Sequence, residues 1–199
     1  MEAFQFYFPF GWEHIISLDA LDHQLFLLAL IALYSWRDWK AILILVTAFT
    51  VGHSLTLVLS VWDWIRVDSK WVEFFIPLTI VITAARNLFE KSAGPQPLFK
   101  SYALALFFGL IHGLGFANTI RMMLASDQQL GWGLLGFNLG LEAGQLVIVS
   151  LLLGLTFLIT NKMKVTPLIY SYLISSLALG VSIGICYNRF PLKFFIHQS

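Results

Sequence analysis

Residues 40–62 read KAILILVTAFTVGHSLTLVLSVW, and no Asp, Glu, Lys or Arg occurs between Lys40 and Asp63. A helix needs about 20 mostly apolar residues to cross the hydrocarbon core of a bilayer, so this stretch predicts a transmembrane span. Five further stretches satisfy the same test. The six spans are expected at approximately 12–35, 40–62, 71–90, 101–124, 132–160 and 167–187. The breaks between them collect the charges and turn formers: Trp36-Arg37-Asp38, Asp63 to Lys70, Glu90 to Lys100 with Pro95 and Pro97, Ser126-Asp127, and Asn161 to Lys164. No break is long enough for a soluble domain. The expected fold class is therefore all-α, a bundle of about six transmembrane helices forming a single transmembrane domain over residues 1–199.

Composition supports this reading. The chain has 199 residues, 58% hydrophobic and 12% charged, with a mean hydropathy of +0.80. A soluble domain carries about 25% charged residues, so most of this surface has to face lipid. A formal charge of +1 provides no basic excess to neutralise phosphates, which argues against a nucleic-acid partner. The single cysteine, Cys186, excludes an intrachain disulfide and a multi-thiolate metal site. No GxxxxGK[ST] occurs, so no nucleotide site is expected. The N-terminus lacks the basic start and small-residue cleavage site of a secretory signal, and the first apolar segment is expected to stay in the mature protein.

Lys and Arg counted on alternate sides of the six spans give seven on one side and five on the other. The smaller group is Arg66, Lys70, Arg121, Arg189 and Lys193. The positive-inside rule then puts both termini outside. Tryptophans crowd the segment ends, at Trp12, Trp36, Trp39, Trp62, Trp64, Trp71 and Trp132, as in an interfacial belt.

Against this apolar background the polar residues carry the functional information. The first span holds His14, Asp19, Asp22 and His23; the second holds His53 with Thr50, Ser54 and Thr56; the fourth holds His112; the fifth holds Asn138, Glu142 and Gln145. A carboxylate at the centre of a membrane helix costs about 2.5–3.5 kcal/mol on insertion scales, so their recurrence asks for a function. A rise of about 1.5 Å per residue puts Asp22 and His23 roughly 18–20 Å below the outer face, His53 roughly 13 Å, and His112 and Glu142 roughly 16–18 Å. Four helices thus bring ligand-type side chains to one level. Imidazole and carboxylate without thiolate suit Ni, Co, Zn, Fe(II) or Mn and disfavour Cu(I). Asn138, Glu142 and Gln145 stand at i, i+4, i+7 and share a helix face. Asp19 and His23, at i, i+4, can grip one ion. Asn138 and Gln145 read as interhelical hydrogen-bonding groups, Asp19 as a turn cap, and Ser54 and the threonines as back-bonding hydroxyls. Gly136, Gly140 and Gly144 form a small-xxx-small stripe, as Gly109 and Gly113 do around His112, allowing close helix approach. His14 and His23 fall on opposite faces of an unbroken helix; for both to serve one site, the start of the segment has to be irregular or re-entrant.

Four motif blocks carry a resemblance: Gly11-Trp-Glu-His14 leading to Asp22-His23-Gln-Leu-Phe26; Phe49-Thr-Val-Gly-His53-Ser-Leu-Thr56; Phe108-Gly-Leu-Ile-His112-Gly-Leu-Gly-Phe-Ala117; and Phe137-Asn138-Leu-Gly-Leu-Glu142-Ala-Gly-Gln145. With these the chain resembles the HupE/UreJ family of bacterial membrane proteins, in its second, broader branch. The resemblance implies a small polytopic protein of the cytoplasmic (inner) membrane, linked to nickel or cobalt uptake. Carried over residue by residue, it implies His14, Asp22, His23, His53, His112 and Glu142 as metal-binding candidates. The family's first motif usually has five residues between its leading His and the Asp-His pair, whereas seven separate His14 from Asp22 here.

Three functions are compatible with these residues. The leading one is a divalent-cation permease or facilitator. The alternative is an intramembrane zinc hydrolase in which His23, His53 and His112 hold the metal and Asp22 or Glu142 is the general base on its bound water; the absence of HExxH weighs against one common class. The third is a sensor or assembly factor that binds metal without moving it.

Overall fold

The computed structural model describes residues 1–94, 97–124 and 130–191. Pro95, Ser126, Asp127 and Lys193, which entered the reading of the loops and of charge, lie outside the described residues. The described residues form seven α-helices and no strand, and 86% of the described residues are helical. The helices are α1 (Glu2–Ile16), α2 (Leu21–Ile31), α3 (Trp39–Val61), α4 (Ser69–Phe89), α5 (Leu98–Leu124), α6 (Leu130–Phe157) and α7 (Pro167–Asn188). Five of them are long and apolar enough to cross a membrane, and α1 and α2 become a sixth span if their bent pair is counted as one. The chain is an all-α polytopic membrane protein.

The bent pair differs from a simple helix over 12–35. α1 starts ten residues earlier, and the axis turns by 60° between α1 and α2. Ser17 is extended (φ −62°, ψ 156°), and a single turn over Leu18–Ala20 restarts the chain. The last carbonyls of a helix have no intrahelical partner. Here the amide nitrogen of Gln24, one turn into α2, lies 3.2, 3.2 and 2.9 Å from the carbonyl oxygens of Ile15, Ile16 and Ser17. Its two protons are shared among three acceptors, and the break is fastened from the following helix.

Two close helix pairs build the rest. α1 runs parallel to α6, with Gly136, Gly140 and Gly144 facing Phe4, Phe8 and Ile15 in rising order. A Cβ on Gly140 would stand 2.0 Å from the carbonyl oxygen of Phe8, so only glycine permits this approach. α3 runs parallel to α5 in the same manner, and a Cβ on Gly109 would meet the Phe49 carbonyl oxygen at 2.1 Å. α4 and α7 pack antiparallel: Asn87 donates to Ser175 Oγ at 3.2 Å and Tyr172 donates to the Glu90 carbonyl at 2.6 Å. Asn87 also donates to the Ala29 carbonyl at 2.7 Å, tying α4 to α2. Between α3 and α4, Asp63 adopts φ 63°, a left-handed conformation that Asp tolerates better than most residues. The hydrogen bond from Arg66 holds the Asp63 carboxyl below its ordinary range.

The apolar interior divides into two clusters. One gathers Phe26, Leu45, Phe49, Ile80 and Phe108; the other gathers Ile15, Leu57, Ile120, Phe137 and Leu141. The histidines occupy the seam between them. His23 and His112 touch Phe49, while His14 lies against Phe116 and Phe137.

Candidate metal centre

Among the described residues each histidine comes from a different helix. His14 sits in the last turn of α1, His23 in the first turn of α2, His53 in α3 and His112 in α5. The 60° break is what lets His14 and His23 share one place, since a straight helix would point them apart. Ring centroids are 5.0 Å apart for His14 and His23, 6.0 Å for His14 and His53, 5.9 Å for His23 and His53, and 4.8 Å for His23 and His112. His14, His23 and His53 each offer a nitrogen, all within 4.8 Å of one another. Three nitrogens bound tetrahedrally at about 2.0–2.1 Å from an ion stand roughly 3.4 Å apart. Closing that difference takes a ring movement of about 1 Å, within the reach of small χ adjustments.

Hydrogen-bond accounting makes the same place unusual. Most buried polar side-chain atoms have a partner. Five buried ring nitrogens here have none: His14 Nε2, His23 Nε2, both nitrogens of His53, and His112 Nδ1. His53 and His112 are completely buried, and His23 nearly so. Neutral imidazoles left unpaired in an apolar seam are costly, and a shared cation would use their lone pairs.

The sixth ring nitrogen to consider, His112 Nε2, is occupied. It lies 3.0 Å from Thr79 Oγ1, which is itself 2.6 Å from the carbonyl oxygen of Ile76. A carbonyl oxygen only accepts, so the single hydroxyl proton of Thr79 goes to Ile76. The hydroxyl oxygen therefore accepts from His112 Nε2–H. The tautomer follows: Nδ1 of His112 is unprotonated and free. Metal-binding histidines are commonly oriented by such a partner on the other ring nitrogen.

The carboxylates do not join the histidines. Asp22 accepts from Arg189 at the end of α7, at 2.7 Å. Successive helical residues do not face each other, and while His23 turns inward, Asp22 turns to α7. Glu142 accepts from Thr47 at 2.7 Å. Asp19 is exposed on the linking turn. The group of ligating atoms within 4.8 Å of one another thus consists of imidazoles alone among the described residues. Of the other polar candidates, Ser54 donates to the Thr50 carbonyl at 2.7 Å and Asn138 to the Leu134 carbonyl at 2.9 Å, each within its own helix. Gln145 Oε1 accepts from Thr50 at 2.7 Å across α3 and α6. Gln24, Thr79 and Arg189 organise the site without having stood out in the sequence.

Fold and site together define a polytopic α-helical membrane protein built around a histidine cluster in its interior. The family model described as "HupE / UreJ protein" matches residues 1–189, and the chain belongs to that family. The resemblance read from the four motif blocks is borne out. Neither the curated proteins nor the solved structures contain a match. The family is linked to nickel and cobalt transport.

Proposed function

We propose that this protein is a membrane permease or facilitator for a divalent transition-metal cation, nickel or cobalt in the first instance. His14, His23 and His53 would bind the cargo, with His112 Nδ1 as a fourth donor. The observation that carries this reading is the convergence of four imidazoles from four helices, with five of their nitrogens unpartnered in an apolar interior. All-imidazole ligation suits Ni, Co and Zn, and lacks the soft sulfur that Cu(I) prefers.

The arrangement favours a cargo site over a hydrolytic one. A zinc hydrolase needs a base beside the metal-bound water. The two carboxylates that the sequence places at the depth of the histidines are instead engaged, Asp22 by Arg189 and Glu142 by Thr47. In this reading the protein lies in the bacterial cytoplasmic membrane with both termini outside, the ion enters from that side, and helix movement weakens the site toward the interior. The chain carries no nucleotide-binding motif, and a gradient or a partner supplies the drive.

The test is uptake of Ni²⁺ and Co²⁺ into proteoliposomes containing the purified protein and an entrapped metal-sensitive dye. Saturable uptake lost in His53→Ala is the expected result. A protein that binds metal with the same ligands and moves none of it would be a sensor, an assembly factor or an enzyme, and the transport reading would fall.

A further inference from the structure

Where α2 leads into α3, the link Ser35-Trp36-Arg37-Asp38 meets the end of α6 and the start of α7. A cleft of about 510 Å³ opens there, and Arg37, Lys162, Asn161 and Thr160 are among the residues that line it. Among the described residues no carboxylate does. Asp38, the acid next to Arg37, is engaged elsewhere: its Oδ2 accepts from the amide and the hydroxyl of Ser35, each at 2.9 Å. Neither Arg37 nor Lys162 has a salt-bridge partner among the described residues. The Arg37 guanidinium lies 5.6 Å from the centroid of the Trp36 ring, a contact through its face that leaves its N–H groups for an acceptor.

The backbone leaves regular helix at the same place. α6 runs into a π turn over Leu158–Lys162, and the Met163 amide reaches back five residues to the Leu158 carbonyl at 3.2 Å. Lys164 then adopts φ 57°, a left-handed conformation that is unfavourable for a residue with a Cβ. Such turns and such strain gather at functional sites, where the surrounding structure maintains them. The wider turn displaces Asn161 and Lys162 around the helix axis, and both line the cleft. A smaller recess of about 180 Å³ shares Ser35, Thr156, Thr160 and Pro167 with it and is walled by Ala32, Leu33 and the buried Tyr170. A cationic mouth thus adjoins a mainly apolar recess.

We propose that this cleft binds the phosphate headgroup of an anionic membrane lipid, with Arg37, Lys162 and Asn161 as its donors. The cleft lies at headgroup level: the candidate spans Trp36–Val61 and Pro167–Asn188 begin at it, and Gly131–Lys162 ends there. Arg grips phosphate oxygens through parallel N–H bonds, and Lys adds a point charge. Basic pockets between transmembrane helices hold anionic lipid headgroups in this way. The flank of the cleft favours a lipid over a soluble phosphate ester. Trp36 and Phe157, both in its lining, are exposed, and their rings pack edge to face with centroids 6.3 Å apart. Acyl chains cover that surface, whereas a free anion leaves it bare. The bound lipid ties the α2–α3 link, which follows the helix of His23, to the α6–α7 junction. The inference is independent of the transport reading.

The experiment is a lipid competition read by native mass spectrometry. Purified protein in a neutral detergent is mixed with phosphatidylglycerol and phosphatidylcholine of the same acyl chains, and the retained lipid is measured. Wild type is compared with an Arg37→Gln, Lys162→Gln double variant and with Lys91→Gln, Lys100→Gln, which removes the same charge from the α4–α5 loop and the start of α5, outside the cleft. Wild type is expected to retain about one phosphatidylglycerol in preference to phosphatidylcholine. The cleft variant should bind it about tenfold or more weakly, the scale of two basic groups at a membrane surface, and the control variant as wild type does. Equal losses in both variants would mean diffuse attraction to a basic surface and overturn the inference, as would equal retention of the two lipids by wild type. Millimolar glycerol 3-phosphate separates the two sources of phosphate. It is expected to displace no lipid; displacement would make the cleft a site for a soluble ester and overturn the lipid assignment. If the double variant fails to fold, Lys162→Gln and Asn161→Leu are read singly, and wild-type retention in both would overturn the inference.

Discussion

Thr79→Val is the most informative single substitution. Valine keeps the shape of threonine and removes one oxygen. That oxygen lies 3.0 Å from His112 Nε2 and 2.6 Å from the Ile76 carbonyl, and both Thr79 and His112 are buried. Without it, the Nε2–H of His112 has no acceptor. Leaving a buried donor unpaired costs about 1–3 kcal/mol. Nδ1 has no partner either, so without Thr79 Oγ1 nothing holds the ring to the tautomer and orientation that present the Nδ1 lone pair to a cation. Loss of such an orienting partner typically lowers metal affinity by about 10- to 100-fold. The assay is titration of purified protein with Co²⁺ and Ni²⁺, with Thr79→Ser as the rescue, since serine restores both hydrogen bonds. Wild-type affinity in Thr79→Val would refute the tautomer argument and remove His112 from the ligand set. A loss that Thr79→Ser fails to restore would refute it too, because the defect would then lie in packing.

Other substitutions probe the scaffold. Gln24→Leu leaves the Ile15, Ile16 and Ser17 carbonyls unfastened, at a cost of about 1–3 kcal/mol; spin-label distances across α1 and α2 should broaden and metal affinity should fall. Gly140→Val drives a side chain into the Phe8 carbonyl and is expected to lower thermal stability in detergent by about 1–3 kcal/mol or more. Gly180→Ala, with nothing within 4 Å of the added methyl, should melt like wild type. Arg189→Gln strips Asp22 of its partner in a pair whose side chains are 37% and 13% exposed. The loss should be about 1 kcal/mol, between the values for exposed and buried pairs. Adding Asp22→Asn should recover most of it, as read from melting curves of the single and double variants.

The helices were legible because lipid imposes one requirement, a long run of apolar residues, and α3 through α7 each display it. The glycine stripe at Gly136, Gly140 and Gly144 was legible too, since close parallel packing leaves a periodic trace. The four histidines stood out as groups that lipid should exclude. What the sequence did not reveal depends on contacts between distant residues. The bend at Ser17–Ala20 is fastened by Gln24, whose amide looks like any other polar residue in a first turn. Thr79 meets His112 from 33 residues away and Arg189 meets Asp22 from 167 residues away, and neither pair leaves a local pattern. Depth along a helix put Asp22 and Glu142 level with the histidines. Direction around the helix axis turns Asp22 to α7 and Glu142 to α3, and one-dimensional depth contains no such information. The last span, which held none of the candidate ligands, ends at the cation that holds Asp22, Arg189.

The central claim is that the unpartnered imidazoles of His14, His23 and His53 bind one metal ion. Elemental mass spectrometry of the purified protein, after exposure to nickel, cobalt and zinc and removal of excess, tests it directly beside a His23→Ala, His53→Ala double variant of verified fold. About one ion per chain in the wild type and none in the variant is the predicted result, with nickel or cobalt preferred. No retained metal in the wild type, or equal retention in both proteins, would contradict it and leave the cluster as a buried network of neutral imidazoles.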